Sequence, residues 1–184
     1  KNFSQHAQIW GILSGTIPPD HTADALERCL REPDLAPASY MLRSYLFDAM
    51  TLLGRGGEIL GQLEAWDEMV QQGAFTGFEH AEPTRSDCHA WSSHPLYHLR
   101  RSIAGISSGS PGFTTLRIAP QPGRLRNIRL RLPHPHGFVE MDLAFEAARC
   151  SGIIQLPEGV QGDFEWASTQ LALEPGENRI EAGP

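Results

Sequence analysis

Residues 38–73 read ASYMLRSYLFDAMTLLGRGGEILGQLEAWDEMVQQG, and the contrast between their two halves decides the fold. The first half, 38–53, is apolar nearly all round. A helix of that kind is buried on most sides, as in the inner layer of a multi-helix protein. Gly54 supplies its C-terminal stop. The second half, about 57–72, carries one apolar stripe of Ile59, Leu63, Trp66 and Val70, flanked by Leu60 and Met69. Glu58, Gln62, Asp67 and Gln71 form the opposite, solvent-facing side, and Gly73 ends the segment. A buried helix followed across a short turn by an amphipathic one predicts antiparallel helical hairpins in two layers.

The same period extends outward. Phe3, His6, Ile9, Trp10 and Leu13 recur at helical spacing up to Gly15. Pro18-Pro19-Asp20 reads as a break, after which Ala23, Leu26, Cys29 and Leu30 give a short helix ended by Pro33. Pro95 suits the first turn of a last helix, with Leu96, Leu99 and Ile103 inward and Gly105 as its stop. Five such helices are too few to close a layered structure, and the chain opens Lys1-Asn2-Phe3 inside a helical pattern. The expectation is a piece of a longer chain, with an apolar helix face exposed around Tyr45, Leu46 and Met50.

From about residue 107 the period becomes two. SSGSPG reads as a linker-like turn, and Thr114–Ala119 as a strand. Ile128, Leu130 and Leu132 alternate with Arg129 and Arg131. Beyond the turn at Pro133–Gly137, Val139, Met141, Leu143 and Phe145 alternate with Glu140 and Asp142. Shorter strands are expected near 152–156, 164–167, 171–173 and 178–181. The expected class is therefore α+β in two domains. Helical hairpins occupy 1–106, and a small antiparallel β-sandwich occupies 107–184.

Composition narrows the function. With 184 residues, 40% hydrophobic and 20% charged, the chain is that of an ordinary globular protein. A net charge of −7 argues against nucleic acid or an anionic membrane as partner. Arg126, Arg129 and Arg131 read as a solvated strand face. No run of about 18 apolar residues offers a membrane span. Cys29, Cys88 and Cys150 are odd in number and far apart, which predicts neither a disulfide framework nor a structural zinc site. With no signal-peptide pattern, these cysteines favour a cytoplasmic location.

The chemistry concentrates in residues 73–98, GAFTGFEHAEPTRSDCHAWSSHPLYH. Here Glu79, Glu82 and Asp87 lie among His80, His89, His94 and His98, with Phe78 and Trp91 between them. Carboxylates can move protons in glycosidic cleavage, and aromatic rings can stack on sugar faces. Glu79, beside Phe78, would sit against an apolar wall. Glu82 precedes Pro83 and reads as exposed. Asp87, near Thr84 and Arg85, reads first as a partner in an ordering contact within the loop. His94 and His98 are four apart, but Pro95 stands where HExxH needs its glutamate, so no metal or other cofactor is expected. Cys88 and His89 are chain neighbours, a poor arrangement for a thiol and its base. A histidine satisfying a core carbonyl or a sugar hydroxyl is the better expectation.

The run from Glu79 to Pro95, EHAEPTRSDCHAWSSHP, resembles the late catalytic segment of the bacterial α-L-rhamnosidase family of glycoside hydrolases. Ala65-Trp66-Asp67-Glu68-Met69 upstream matches in order, as do Gly105-Ile106, Pro111-Gly112-Phe113 and Ile118-Ala119-Pro120-Gln121 downstream. The resemblance implies a toroid of helical hairpins followed by a β-sandwich, and hydrolysis of terminal α-L-rhamnosyl bonds with inversion. It implies that Glu79 is the general base and that His89 contacts the bound sugar, with Trp91 and Asp87 shaping the pocket. The substrate would be a rhamnosyl-containing saccharide or glycoside, and the partner the upstream part of the parent catalytic domain. Two departures stand out. The family usually has Thr-Thr and an aromatic, commonly Trp, before the glutamate, where this chain has Thr76, Gly77 and Phe78. The family's general acid lies in an upstream segment that nothing here matches. The isolated chain is therefore expected to be inactive. The alternatives are a non-catalytic carbohydrate-binding or accessory module, and a purely structural helical domain.

Overall fold

A computed structural model describes residues 3–81 and 83–183. The chain has the expected α+β class, and the described residues form five α-helices ahead of two four-stranded sheets. It divides into two compact units, Lys1–Leu99 and Arg100–Pro184.

In the first unit the central element is α3 (Tyr40–Leu52). It packs against α1 (Gln5–Leu13), the 3₁₀ segment Gly56–Gln62, the short turn Ala90–Ser92 and α5 (Pro95–His98). Phe47, Ala49 and Met50 have no exposed surface, which is what an apolar-all-round helix requires. The expected exposed face around Tyr45, Leu46 and Met50 is absent: Leu46 is 2% exposed and Met50 0%. The helix α2 (Pro19–Arg31) starts four residues before the expected point. Pro19 opens it rather than breaking the chain, because proline lacks only an N–H that the first turn leaves unpaired. Gln5 fastens these parts: its side-chain amide donates to the Cys29 carbonyl at 2.7 Å and accepts from the Ala38 N–H at 2.6 Å.

The amphipathic stretch splits into the 3₁₀ segment and α4 (Glu64–Gln71). Gly56, Gly57 and Gly61 weaken the α-helix over the first part. The break rotates the apolar stripe, so Met69 is buried while Val70 is 69% exposed, contrary to expectation. In α5 the correction is similar. Leu96 is 76% exposed and Leu99 is also exposed, while His98, Ser102 and Ile103 face inward. A π-helical turn, Leu99–Ile103, changes the period there.

In the second unit, one sheet has the order β1 (Ile106–Ser108), β2 (Thr115–Ile118), β6 (Gln161–Trp166), β7 (Thr169–Leu173). The other has the order β3 (Asn127–His134), β4 (Gly137–Glu146), β5 (Arg149–Leu156), β8 (Gly176–Ala182). All neighbours are antiparallel except β2 and β6, which run parallel from Thr115↔Gln161 to Ile118↔Phe164. The expected linker at SSGSPG instead begins in β1. Alternation is strict along β4: Val139, Met141, Leu143 and Phe145 are buried between exposed neighbours. Burying each such side chain stabilises by roughly 1.5–3 kcal/mol. On the outer face Arg131 meets Glu140 at 2.9 Å and Arg129 approaches Asp142 at 3.5 Å, each across the register pair. Arg126 is not on that face; it precedes the strand.

Candidate functional site

The loop between α4 and α5 is built back onto the helices by side chains. Phe78 enters an apolar cluster with Tyr40 and Met69, packed by Ala65, Trp66 and Ala74. The Trp66 indole N–H donates to the Ser92 carbonyl at 2.6 Å. At the far end, the His94 Nε2–H donates to the Tyr40 carbonyl at 2.8 Å, and His98 Nε2 pairs with the Ser44 hydroxyl at 3.1 Å. The two imidazoles meet edge to face at 5.5 Å, and each meets the Phe47 ring in the same way. His94 and His98 thus anchor the loop's exit to α3, which is the core-carbonyl role expected of a histidine. The His94 Nδ1 is buried without a partner, and burial holds the imidazole's pKa below its usual 6.5. Among the described residues no group of three or more His, Cys, Asp or Glu side chains could hold a metal ion.

Inside the loop, Glu79 is 8% exposed, and among the described residues it is the only buried acidic side chain. Glutamate is rarely buried without a partner. Here the partner is Arg85, whose Nη2 donates to Glu79 Oε1. A closed turn brings the two together. The Glu79 N–H donates to the Ser86 carbonyl at 2.9 Å, and the Thr84 hydroxyl donates to the same carbonyl at 3.0 Å. Of the expected partners of the Asp87 side chain, Arg85 pairs with Glu79 and the Thr84 hydroxyl bonds the Ser86 carbonyl. The Asp87 carboxylate is exposed, while its backbone carbonyl accepts from the Thr76 hydroxyl.

Trp91 bonds the Glu79 backbone, and His89 packs on the Trp91 ring. The Trp91 indole N–H donates to the Glu79 carbonyl at 3.2 Å. Its ring lies 4.0 Å from the His89 imidazole, centroid to centroid, tilted by 40°. The His89 N–H donates to the Gly77 carbonyl at 2.8 Å. Glu79, Trp91 and His89 thus form one connected group, with Asp87 at its edge. Among the described residues His80 bonds locally, to the Ala81 carbonyl at 2.9 Å. Cys88 is exposed. Glu82 lies outside the described residues.

The departure at position 77 has a steric cause. A Cβ on Gly77 would lie 2.2 Å from Ser92 Oγ, and that hydroxyl is held by the His89 carbonyl at 2.8 Å. Glycine here leaves room for the Ser92 hydroxyl. Sequence reasoning set Arg85 beside Asp87 rather than Glu79, and it missed the contacts of Thr76 and Ser92 and the tie from Trp66. Only the Arg85 contact had a signal: a cation six residues beyond the glutamate, across a proline turn.

Five helices followed by two antiparallel-rich sheets, among the described residues, match the C-terminal region of α-L-rhamnosidase glycoside hydrolases. The chain is similar over 91% of its length to the GH78 family rhamnosidase of Bacillus sp. GL1, at 26% identity and a TM-score of 0.80, covering 19% of that chain. It matches the α-L-rhamnosidase from Dictyoglumus thermophilum over 98% of its length, at 18% identity and TM-score 0.79, covering 25% of that chain. For the Streptomyces avermitilis α-L-rhamnosidase complexed with L-rhamnose the values are 97%, 15% and 0.77, covering 21%. The last two likenesses are of fold alone. The chain thus spans a quarter or less of the length of these proteins. No family model matches the chain, and no curated protein matches it.

Proposed function

We propose that the chain is the C-terminal portion of an inverting glycoside hydrolase that removes terminal α-L-rhamnosyl groups, and that it carries the general-base side of the site. Residues 1–106 are then the end of an α/α-toroid catalytic domain, and residues 107–184 its C-terminal β-sandwich. The observation that carries this is the burial of Glu79 within a loop otherwise rich in exposed polar groups. Burying a carboxylate costs free energy unless it is paired, and no structural need for one is evident beside Arg85.

In this mechanism the Glu79 carboxylate takes a proton from water as the water oxygen attacks the anomeric carbon. The glycosidic bond breaks on the opposite face, and its oxygen is protonated by an acid from the rest of the parent chain. Base and acid must stand about 6.5–9.5 Å apart to leave room for the water. Arg85 and the turn 79–86 hold the base, Trp91 fixes the backbone at Glu79, and the His89 ring contacts the sugar. The exposed apolar groups beside the loop, Val70, Phe75 and Leu96, are where further helical layers would pack.

The isolated chain lacks the acid and is expected to be inactive. Assay of rhamnose release from an aryl α-L-rhamnoside tests this. Turnover by the isolated chain, abolished by Glu79→Gln, would contradict it. Rhamnose binding without turnover in the complete parent chain would favour an accessory module.

A further inference from the structure

The strand unit holds a concave site made of groups that chemistry at Glu79 does not use. The cleft has a volume of about 490 Å³, within the roughly 300–1,000 Å³ typical of small-ligand sites. Phe145 at the end of β4 and Trp166 at the end of β6 form its apolar wall, their rings 5.1 Å apart and tilted by 41°. The Trp166 indole N–H donates to the Ala148 carbonyl at 3.0 Å, which fixes the half-buried ring. Arg124 and Arg126, from the loop ahead of β3, line the cleft together with Glu146.

The charges make the cleft specific. Arg117, Arg129, Arg131 and Arg149 of the same unit all pair with carboxylates. Arg124 and Arg126 are exposed, and among the described residues neither guanidinium has a hydrogen bond or ion pair. In a chain of net charge −7, two unpaired guanidiniums beside one carboxylate make a locally cationic pocket. A guanidinium is a planar fork that matches a carboxylate. A fixed indole next to a phenyl ring suits the C–H face of a pyranose. Glu146 is left as an acceptor for hydroxyls.

We propose that this cleft binds an acidic saccharide, through a uronic acid residue whose ring lies on Trp166 and whose carboxylate meets Arg124 and Arg126. The choice of a saccharide rests on the carbohydrate-active role proposed above; the site itself does not involve Glu79.

The test is titration of the isolated chain with tetragalacturonate, a neutral galactotetraose and inorganic phosphate, followed by ¹H–¹⁵N shifts. Tetragalacturonate should move the Trp166 indole signal, with an affinity that falls as salt is added. The neutral tetrasaccharide should bind at least about tenfold more weakly, as should tetragalacturonate to the Arg124→Ala/Arg126→Ala variant, a loss typical of charged hydrogen bonds. Both arginines are exposed, so that variant keeps its fold; Trp166→Ala, checked by its own spectrum, should lose binding too. Equal binding of acidic and neutral sugars, unchanged binding by the double variant, or shifts remote from Trp166 would overturn the proposal. Phosphate binding as tight as tetragalacturonate would reduce the cleft to a simple anion site and would also overturn it. Rhamnose release by the complete parent chain is read separately, so failure here and failure at Glu79 are distinguishable.

Discussion

The strand unit and the interhelical loop satisfy their backbones in opposite ways. In the strand unit, ladders such as β3–β4 and β4–β5 pair seven or eight residues in unbroken register. In the loop 73–94, order comes mainly from side chains: Thr76, Thr84, Trp91, Ser92 and His94 each bond a carbonyl, and Trp66 reaches in from α4. A ladder is repetitive and tolerates change at any one outward-facing side chain. A loop tied by single contacts can hold a buried carboxylate in place, but each tie matters. The contrast marks the candidate site: the buried carboxylate lies where the backbone is held by specific side chains rather than by a ladder.

The largest effects should come from each unit's core. Phe47→Ala and Phe164→Ala, both fully buried, should each cost about 3–5 kcal/mol in denaturant unfolding. They should differ in local consequence. Phe47 touches the rings of Trp66, His94 and His98, so its loss should lower amide protection across the loop. Phe164→Ala should lower protection in β2 and β6.

Glycines sharpen the comparison at the next level. Gly152 has φ +147, and a Cβ there would meet the Asp142 carbonyl oxygen at 2.1 Å. Gly152→Ala should therefore cost about 3 kcal/mol or more, because the obstacle is backbone. Gly77→Ala meets a side chain instead and should cost about 1–3 kcal/mol. Ser92→Ala should recover part of that loss in the double variant, measured as a double-mutant cycle. No partner substitution should rescue Gly152→Ala.

The pH dependence is smaller. Because the His94 pKa is lowered in the folded chain, the unfolded chain binds the proton more readily. The stability linked to this group is full above the unfolded value of 6.5 and is lost as pH falls through the folded value. The unfolding midpoint should drop between pH 7 and pH 5, and His94→Gln, which keeps a donor for the Tyr40 carbonyl, should flatten that drop. Smallest of all, one thiol of three should react with iodoacetamide in the native chain. Cys88 is exposed, while Cys29 and Cys150 are buried and their thiols are pushed up to about 11.

The same contrast explains what was legible in the sequence. Period two located β3 and β4 because each residue's face is set by its neighbour's. The apolar character of 38–53 located the buried α3. The stripe through Val70 misled because the glycines of 56–61 change the helix type, and Leu96 misled because a π-helical turn follows α5. In the loop, the resemblance picked out Glu79, Trp91 and His89, and the structure joins them. Arg85 and Ser92 escaped because their contacts depend on how the turn closes, which no period encodes. The β1 strand escaped because its three residues pair only with β2.

The most direct test is hydrolysis of an aryl α-L-rhamnoside by the complete parent chain, with and without Glu79→Gln. On the role proposed for Glu79, its loss should lower kcat by about 10²–10⁴-fold while leaving rhamnose binding nearly unchanged. A Glu79→Gln parent chain that retains full turnover would contradict the account.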